Sequence, residues 1–173
     1  MAFSANCFVI VSLLVLLQFL IVSASTKPID SICQGQGVTD HAYCFKTLSA
    51  YPPALQATEA ALSLAKSYTE EPIKFTGKAA QENPRLKKDF LTCQHSYQTT
   101  EKQLGIAIDS LKNYPEESLY SCQLTWEEMS VVKYTVGKNE DEASKTLMKM
   151  TLMVFKIIPI IVEATRAVTL ASQ

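Results

Sequence analysis

From Pro84 onward the apolar positions run Leu86, Phe90, Cys93, Tyr97, Leu104, Ile108 and Leu111. Steps of three, four and seven place all of them on one face of a helix. After the turn Asn113-Tyr114-Pro115 a second stripe follows, Leu119, Cys122, Trp126, Met129, Val132 and Val136, with Gly137 placed to close it. So short a connection makes the two helices antiparallel neighbours. A third helix is expected from about Glu142 to Arg166. Its apolar stretch Leu147 to Val162 is interrupted by Lys149 and Lys156, which favours burial in a bundle over a membrane span. The Ala- and Leu-rich segment Pro53 to Glu71 supplies a fourth.

Prolines separate these segments. Pro52 and Pro53, Pro72, Pro84 and Pro115 each stand where a helix is expected to open, since a first-turn residue needs no N–H. Pro159 falls inside the last pattern and predicts a kink or an early end, because it deletes a donor and crowds the preceding turn. No segment alternates as a strand does, and no repeat of solenoid length is found. The expected fold is all-α: an antiparallel up-down-up-down four-helix bundle behind a short helical entry piece.

The apolar run Phe8 to Val22 is too short for a comfortable span and ends in Val22-Ser23-Ala24, the small-residue pattern of a cleavage site. Residues 1–24 are therefore read as a signal peptide removed after Ala24, leaving about 150 residues, enough for one core. The expected location is extracellular, with no membrane attachment after cleavage. With 16 Lys and Arg against 17 Asp and Glu, no strong field points to nucleic acid. Of five cysteines Cys7 leaves with the signal. The remaining four form an even set that would persist as disulfides in an oxidising compartment. None of Asn6, Asn83, Asn113 and Asn139 begins a glycosylation sequon.

Chemistry is sparse. His41 and His95 have no partner at a spacing that would make a nucleophile and base pair. Phosphate-binding glycine loops are missing, and neither a metal nor an organic cofactor is expected. Glu116 with Glu117 and Glu127 with Glu128 read as solvated helix starts and faces, not as a glycosidase pair. The chain is not expected to be an enzyme.

The run Pro84-x-Leu86-Lys87-Lys88-x-Phe90-x-x-Cys93-x-x-x-Tyr97, followed by Ala107-Ile108-x-x-Leu111-Lys112, resembles the core of the plant invertase and pectin methylesterase inhibitor family. Cys33 and Cys44 look like that family's entry hairpin. The resemblance extends over the processed chain, 25–173, and is most specific from Pro84 to Thr125. It implies a helical hairpin over 25–51 closed by Cys33 and Cys44, and a four-helix bundle over 52–173. It also implies an apoplastic or, less favoured, vacuolar protein that blocks a cell-wall or sucrose-processing enzyme by covering its active site.

Two departures stand out. Ser121-Cys122-Gln123-Leu124-Thr125 resembles the family's Ser-Ala-Ala-Leu-Thr, whose fourth cysteine follows at the place held here by Ser130. The last cysteine is thus about two turns out of place. Two helices meeting near residue 114 bring Cys93 opposite 130–135, leaving Cys122 about 12 Å out of register, against a reach of about 7 Å between bridged Cα atoms. Cys93 and Cys122 are therefore expected to be buried free thiols, in preference to an intermolecular bridge. The second departure is Pro115-Glu116-Glu117, where invertase inhibitors of the family carry Pro-Lys-Phe. Two carboxylates in place of a cation and an aromatic disfavour an invertase cleft. The expected partner is pectin methylesterase, with acid invertase second and Pro115, Glu116 and Glu117 as candidate contacts. A diverged bundle that serves as an interaction or carrier protein is the reading from a different class.

Overall fold

The computed structural model describes residues 28–51 and 53–173. The signal-peptide assignment, residues 1–24, lies outside them. A helical turn over 28–33 (α1) and helix α2 (His41–Leu48) form the entry hairpin, and four long helices follow. These are α3 (Ala54–Glu82), α4 (Lys87–Ser110), α5 (Pro115–Val136) and α6 (Glu142–Ala171), with a 3₁₀ turn at Pro84–Leu86 leading into α4. Helix α3 packs on α4 and α6, and α5 packs on the same two, the adjacency of an up-down-up-down bundle. The expected all-α bundle with a hairpin in front is what the chain forms. Among the described residues no helix is long and apolar enough to cross a membrane.

Two prolines do not act as punctuation. Pro72 was expected to open a helix and instead lies buried inside α3, which runs on to Glu82. Likewise α6 passes through Pro159 and ends at Ala171, five residues beyond the expected Arg166. Each proline costs its helix about 3 kcal/mol. Around Pro159, however, Ile157, Ile158, Ile160 and Ile161 are all buried. At about 1.5–3 kcal/mol per buried aliphatic side chain, four such residues outweigh the break. Pro115 opens α5 as expected, and Gly137 caps it, with its N–H bonded to Lys133 O at 2.9 Å. The φ of Gly137 is −67°, so it is not the left-handed cap that a terminal glycine suggests. Space is the tighter condition there, since a Cβ would overlap the backbone oxygen of Lys133 and stand 3.3 Å from Met148 Cε.

The interior divides into two apolar clusters. At the hairpin end Ile29, Ile32, Val38 and Leu48 meet Leu62, Leu104, Leu111 and Ile161. At the far end Phe90, Tyr97, Met129, Val132, Leu147 and Val154 pack together. Between them in sequence, near the middle of α3, α4 and α5, lie Thr69, Thr100 and Thr125, all fully buried. Each hydroxyl donates to a carbonyl of its own helix: Thr69 to Lys66 O at 2.7 Å, Thr100 to Ser96 O at 2.9 Å and Thr125 to Cys122 O at 2.6 Å. A buried hydroxyl without a partner would cost about 1–3 kcal/mol. Bonds between helices are fewer and set register. Tyr97 OH meets Thr151 Oγ1 at 2.8 Å, and Ser118 Oγ donates to Ala107 O at 2.7 Å.

Burial corrects the α5 stripe. Its inner face is Ser118, Ser121, Cys122, Thr125, Met129, Val132 and Val136, and Trp126 turns outward, half exposed. Small hydroxyl residues let the backbones of α4 and α5 approach, and an indole at that position would hold them apart.

The hairpin is closed by the Cys33–Cys44 disulfide, with Cα atoms 5.6 Å apart. Between the two cysteines Gly37 takes φ of 100°, the left-handed region that glycine enters without steric cost. Asp40 caps α2 by accepting from Tyr43 N at 3.0 Å and pairs with Lys156 Nζ of α6 at 3.4 Å. Tyr43 OH meets Tyr68 OH of α3 at 2.9 Å. At Gly35 a Cβ would stand 2.6 Å from Glu163 Cγ, so the loop rests directly on α6.

Gly35→Ala is expected to lower stability by about 1–3 kcal/mol through this overlap. Most of that loss should be absent when Glu163→Ala is also present, as a double-mutant cycle by chemical denaturation would show. Acid sensitivity should follow the two aspartate caps. The Tyr43 N–H, against an opposing effect of burial and with help from Lys156, holds the Asp40 carboxyl below its ordinary 3.8. At Asp141, the cap of α6, burial raises the pKa, but hydrogen bonds from Ser144 and neighbouring backbone outweigh it and the net shift is also downward. Depressed native values mean that the stabilisation is complete above 3.8 and is lost as pH falls through the lower native values. The melting temperature should therefore drop below pH 3.8 more steeply in the parent than in Asp40→Asn/Asp141→Asn, which keeps both caps. Equal acid limbs would refute the assignment.

Candidate recognition surface

The connection from α4 to α5 is held from three sides. Tyr114 N donates to Ser110 O at 2.7 Å, Thr169 Oγ1 of α6 donates to Pro115 O at 3.3 Å, and Lys112 Nζ reaches Glu59 Oε1 of α3 at 3.0 Å. Pro115 is half-buried at the first position of α5, and Glu116 and Glu117 are exposed beside it. Two carboxylates on the first turn favour the helix dipole. They also present acceptors to a partner from a turn that has little freedom left to lose. Tyr114 and Tyr120 flank them, both exposed. The three candidate contact residues thus sit together on one firm, acidic, aromatic-edged corner at the hairpin end of the bundle.

The far end carries both signs: Glu82, Glu140 and Asp141 line a cleft there beside Arg85 and Lys138. Arg85, Lys87 and Lys88 are exposed around a shallow cleft that His95 also lines. His41 lies on the hairpin and donates through Nδ1 to the Cys33 carbonyl, a bond internal to the stapled loop. The two histidines therefore occupy separate elements. Glu127 is exposed and Glu128 half-buried on α5. Among the described residues no group of three or more His, Cys, Asp or Glu could hold a metal ion.

Cys93 and Cys122 are both free and buried. Cys93 belongs to the far cluster, with Met129, Val132 and Val136, and Cys122 to the hairpin-end cluster. Cys122 Sγ lies 3.6 Å from Thr165 Oγ1. Burial pushes the Cys93 thiol up to about 12, with Asp89 adding to the effect, and burial pushes Cys122 up to about 11 despite its bond to Thr165. Neither is a reactive nucleophile at neutral pH.

Trp126 is the surface residue that periodicity alone assigns wrongly. Its ring stands edge-on to Phe155 of α6, with centroids 5.1 Å apart and planes at 79°, and Lys133 Nζ lies 5.7 Å from the Phe155 centroid. The adjacent Glu127-Glu128 pair marks this part of α5 as outward and was the available sequence signal.

No protein-family model and no curated protein matches this chain.

At pH 8 in the native state, a thiol reagent should leave Cys93 and Cys122 unmodified, and both should react after denaturation. Peptide mapping by mass spectrometry reads each site, and rapid native labelling of either would contradict its burial.

Proposed function

We propose that the chain is a secreted proteinaceous inhibitor that binds pectin methylesterase in a stoichiometric complex over the enzyme's active-site cleft. The observation that carries this reading is the hairpin closed by Cys33–Cys44 and seated on a four-helix bundle. That architecture is what the resemblance of the Pro84–Thr125 stretch implies. A rigid turn carrying Pro115, Glu116 and Glu117, and exposed helix faces rich in tyrosine, supply surface suited to protein recognition.

Acid invertase is the second target. The exposed Glu116 and Glu117 weigh against it, because carboxylates entering an acidic sugar-cleaving site meet like charge. A non-inhibitory interaction or carrier bundle is the remaining alternative.

The test titrates the processed chain from Ser25 against a plant pectin methylesterase and an acid invertase in parallel, at mildly acidic pH. The expected result is loss of esterase activity that ends at one equivalent, with invertase unaffected, and a complex burying on the order of 1,600 Å². Full esterase activity at a several-fold molar excess, with the helical circular dichroism intact, would overturn the proposal.

A further inference from the structure

Where the hairpin loop meets α5 and α6 the surface folds into a cleft of about 370 Å³. One wall is Trp126, the only tryptophan in the chain, 50% exposed. Its edge-on contact with Phe155 limits its rotation and leaves ring surface open. Gln36 from the loop, Gln123 and Glu127 from α5 and Glu163 and Arg166 from α6 supply polar groups, and the rest of the lining is mostly apolar, Ile158, Pro159 and Val162 among it. Glu163 is buried and accepts from Arg166 Nη1. The loop approaches so closely over Glu163 that only glycine fits at position 35. The disulfide and the close approach at Gly35 hold the loop against α6, and the Trp126–Phe155 contact ties the α5 wall to α6.

The lining has a distinctive chemistry. A flat apolar face stands beside planar side chains that present donors and acceptors in pairs: two amides, two carboxylates and a guanidinium. A pyranose ring offers the complement, an apolar face of C–H bonds and an equatorial rim of adjacent hydroxyls, each both donor and acceptor. Charge narrows the class. Glu127 and Glu163 outnumber Arg166, whose charge Glu163 already offsets while other N–H groups stay free, so a sugar carboxylate would meet net negative charge. A cation would have to compete with Arg166 for Glu163 and would leave the N–H groups of both amides unused. The volume is at the small end for ligand sites, about 300–1,000 Å³, and has room for one or two sugar rings.

We propose that this cleft binds a neutral pyranose unit, with Trp126 as the stacking face and Gln36, Gln123, Glu127 and Arg166 as hydrogen-bonding partners. The site is separate from the Pro115–Glu117 corner and does not rest on enzyme inhibition. Because the only indole is in the cleft, its fluorescence reports occupancy directly. The purified protein is titrated with methyl β-D-glucopyranoside, methyl β-D-galactopyranoside, D-galacturonate and free arginine, with the indole N–H and the side-chain amides of Gln36 and Gln123 followed by NMR. At least one neutral pyranoside should saturate with a Kd on the order of 1 mM and shift those three groups. Gln123→Ala/Glu127→Ala, both at exposed positions, should weaken it about tenfold while circular dichroism stays unchanged. Four results would each overturn the proposal: no saturation below about 50 mM, equal or better binding of galacturonate, saturation by arginine alone, or unaltered affinity in the double variant. The parent's NMR shifts need no variant, so a folding defect cannot obscure the outcome.

Discussion

Buried hydroxyls bonded to their own helix are the condition on which this bundle rests. Thr58, Thr76, Thr151 and Thr165 repeat what Thr69, Thr100 and Thr125 do near the middle of their helices, each donating to a carbonyl three or four residues back. A hydroxyl satisfied in this way leaves its methyl group to face the neighbouring helix, so a polar residue packs as a small apolar one. The polar interior therefore needs no partner across the interface. Register falls to a few bonds between helices, Tyr97 to Thr151 and Ser118 to Ala107 among them.

The same condition explains what could be read in the chain and what could not. The α4 stripe was legible because Phe90, Cys93, Tyr97, Leu104 and Leu111 are apolar and buried alike. On α5 the first half of the core face holds Ser118, Ser121 and Thr125, which a hydrophobicity pattern scores as solvent-facing, so that the pattern turns Trp126 inward in their place. Pro72 and Pro159 failed as punctuation because local cost was set against tertiary burial that no local window contains. That Cys93 and Cys122 stay unpaired was legible through distance, since an offset of about 12 Å along α5 exceeds what a disulfide can span, whereas the Cys33–Cys44 link is what the resemblance implies. The cleft beside Trp126 was not legible, because Gln36, Gln123 and Arg166 come together only when the hairpin docks.

Placement of functional groups follows from that docking. The Pro115–Glu117 corner is held by α3 and α6, and the Trp126 cleft by the hairpin loop, so both lie on surface positioned by elements distant in sequence. Such preorganisation reduces the ordering cost of binding.

The hairpin also fastens the first described segment to α6. Gly35 rests on Glu163 and Asp40 pairs with Lys156, joining the first described segment to the last helix across more than a hundred residues. During vectorial synthesis the hairpin emerges well before its docking surface on α6. Contacts of such long sequence separation form late and slow the final step. Ile29, Ile32 and Val38 therefore stay incompletely covered until α6 has been made, an interval in which the nascent protein is exposed to aggregation.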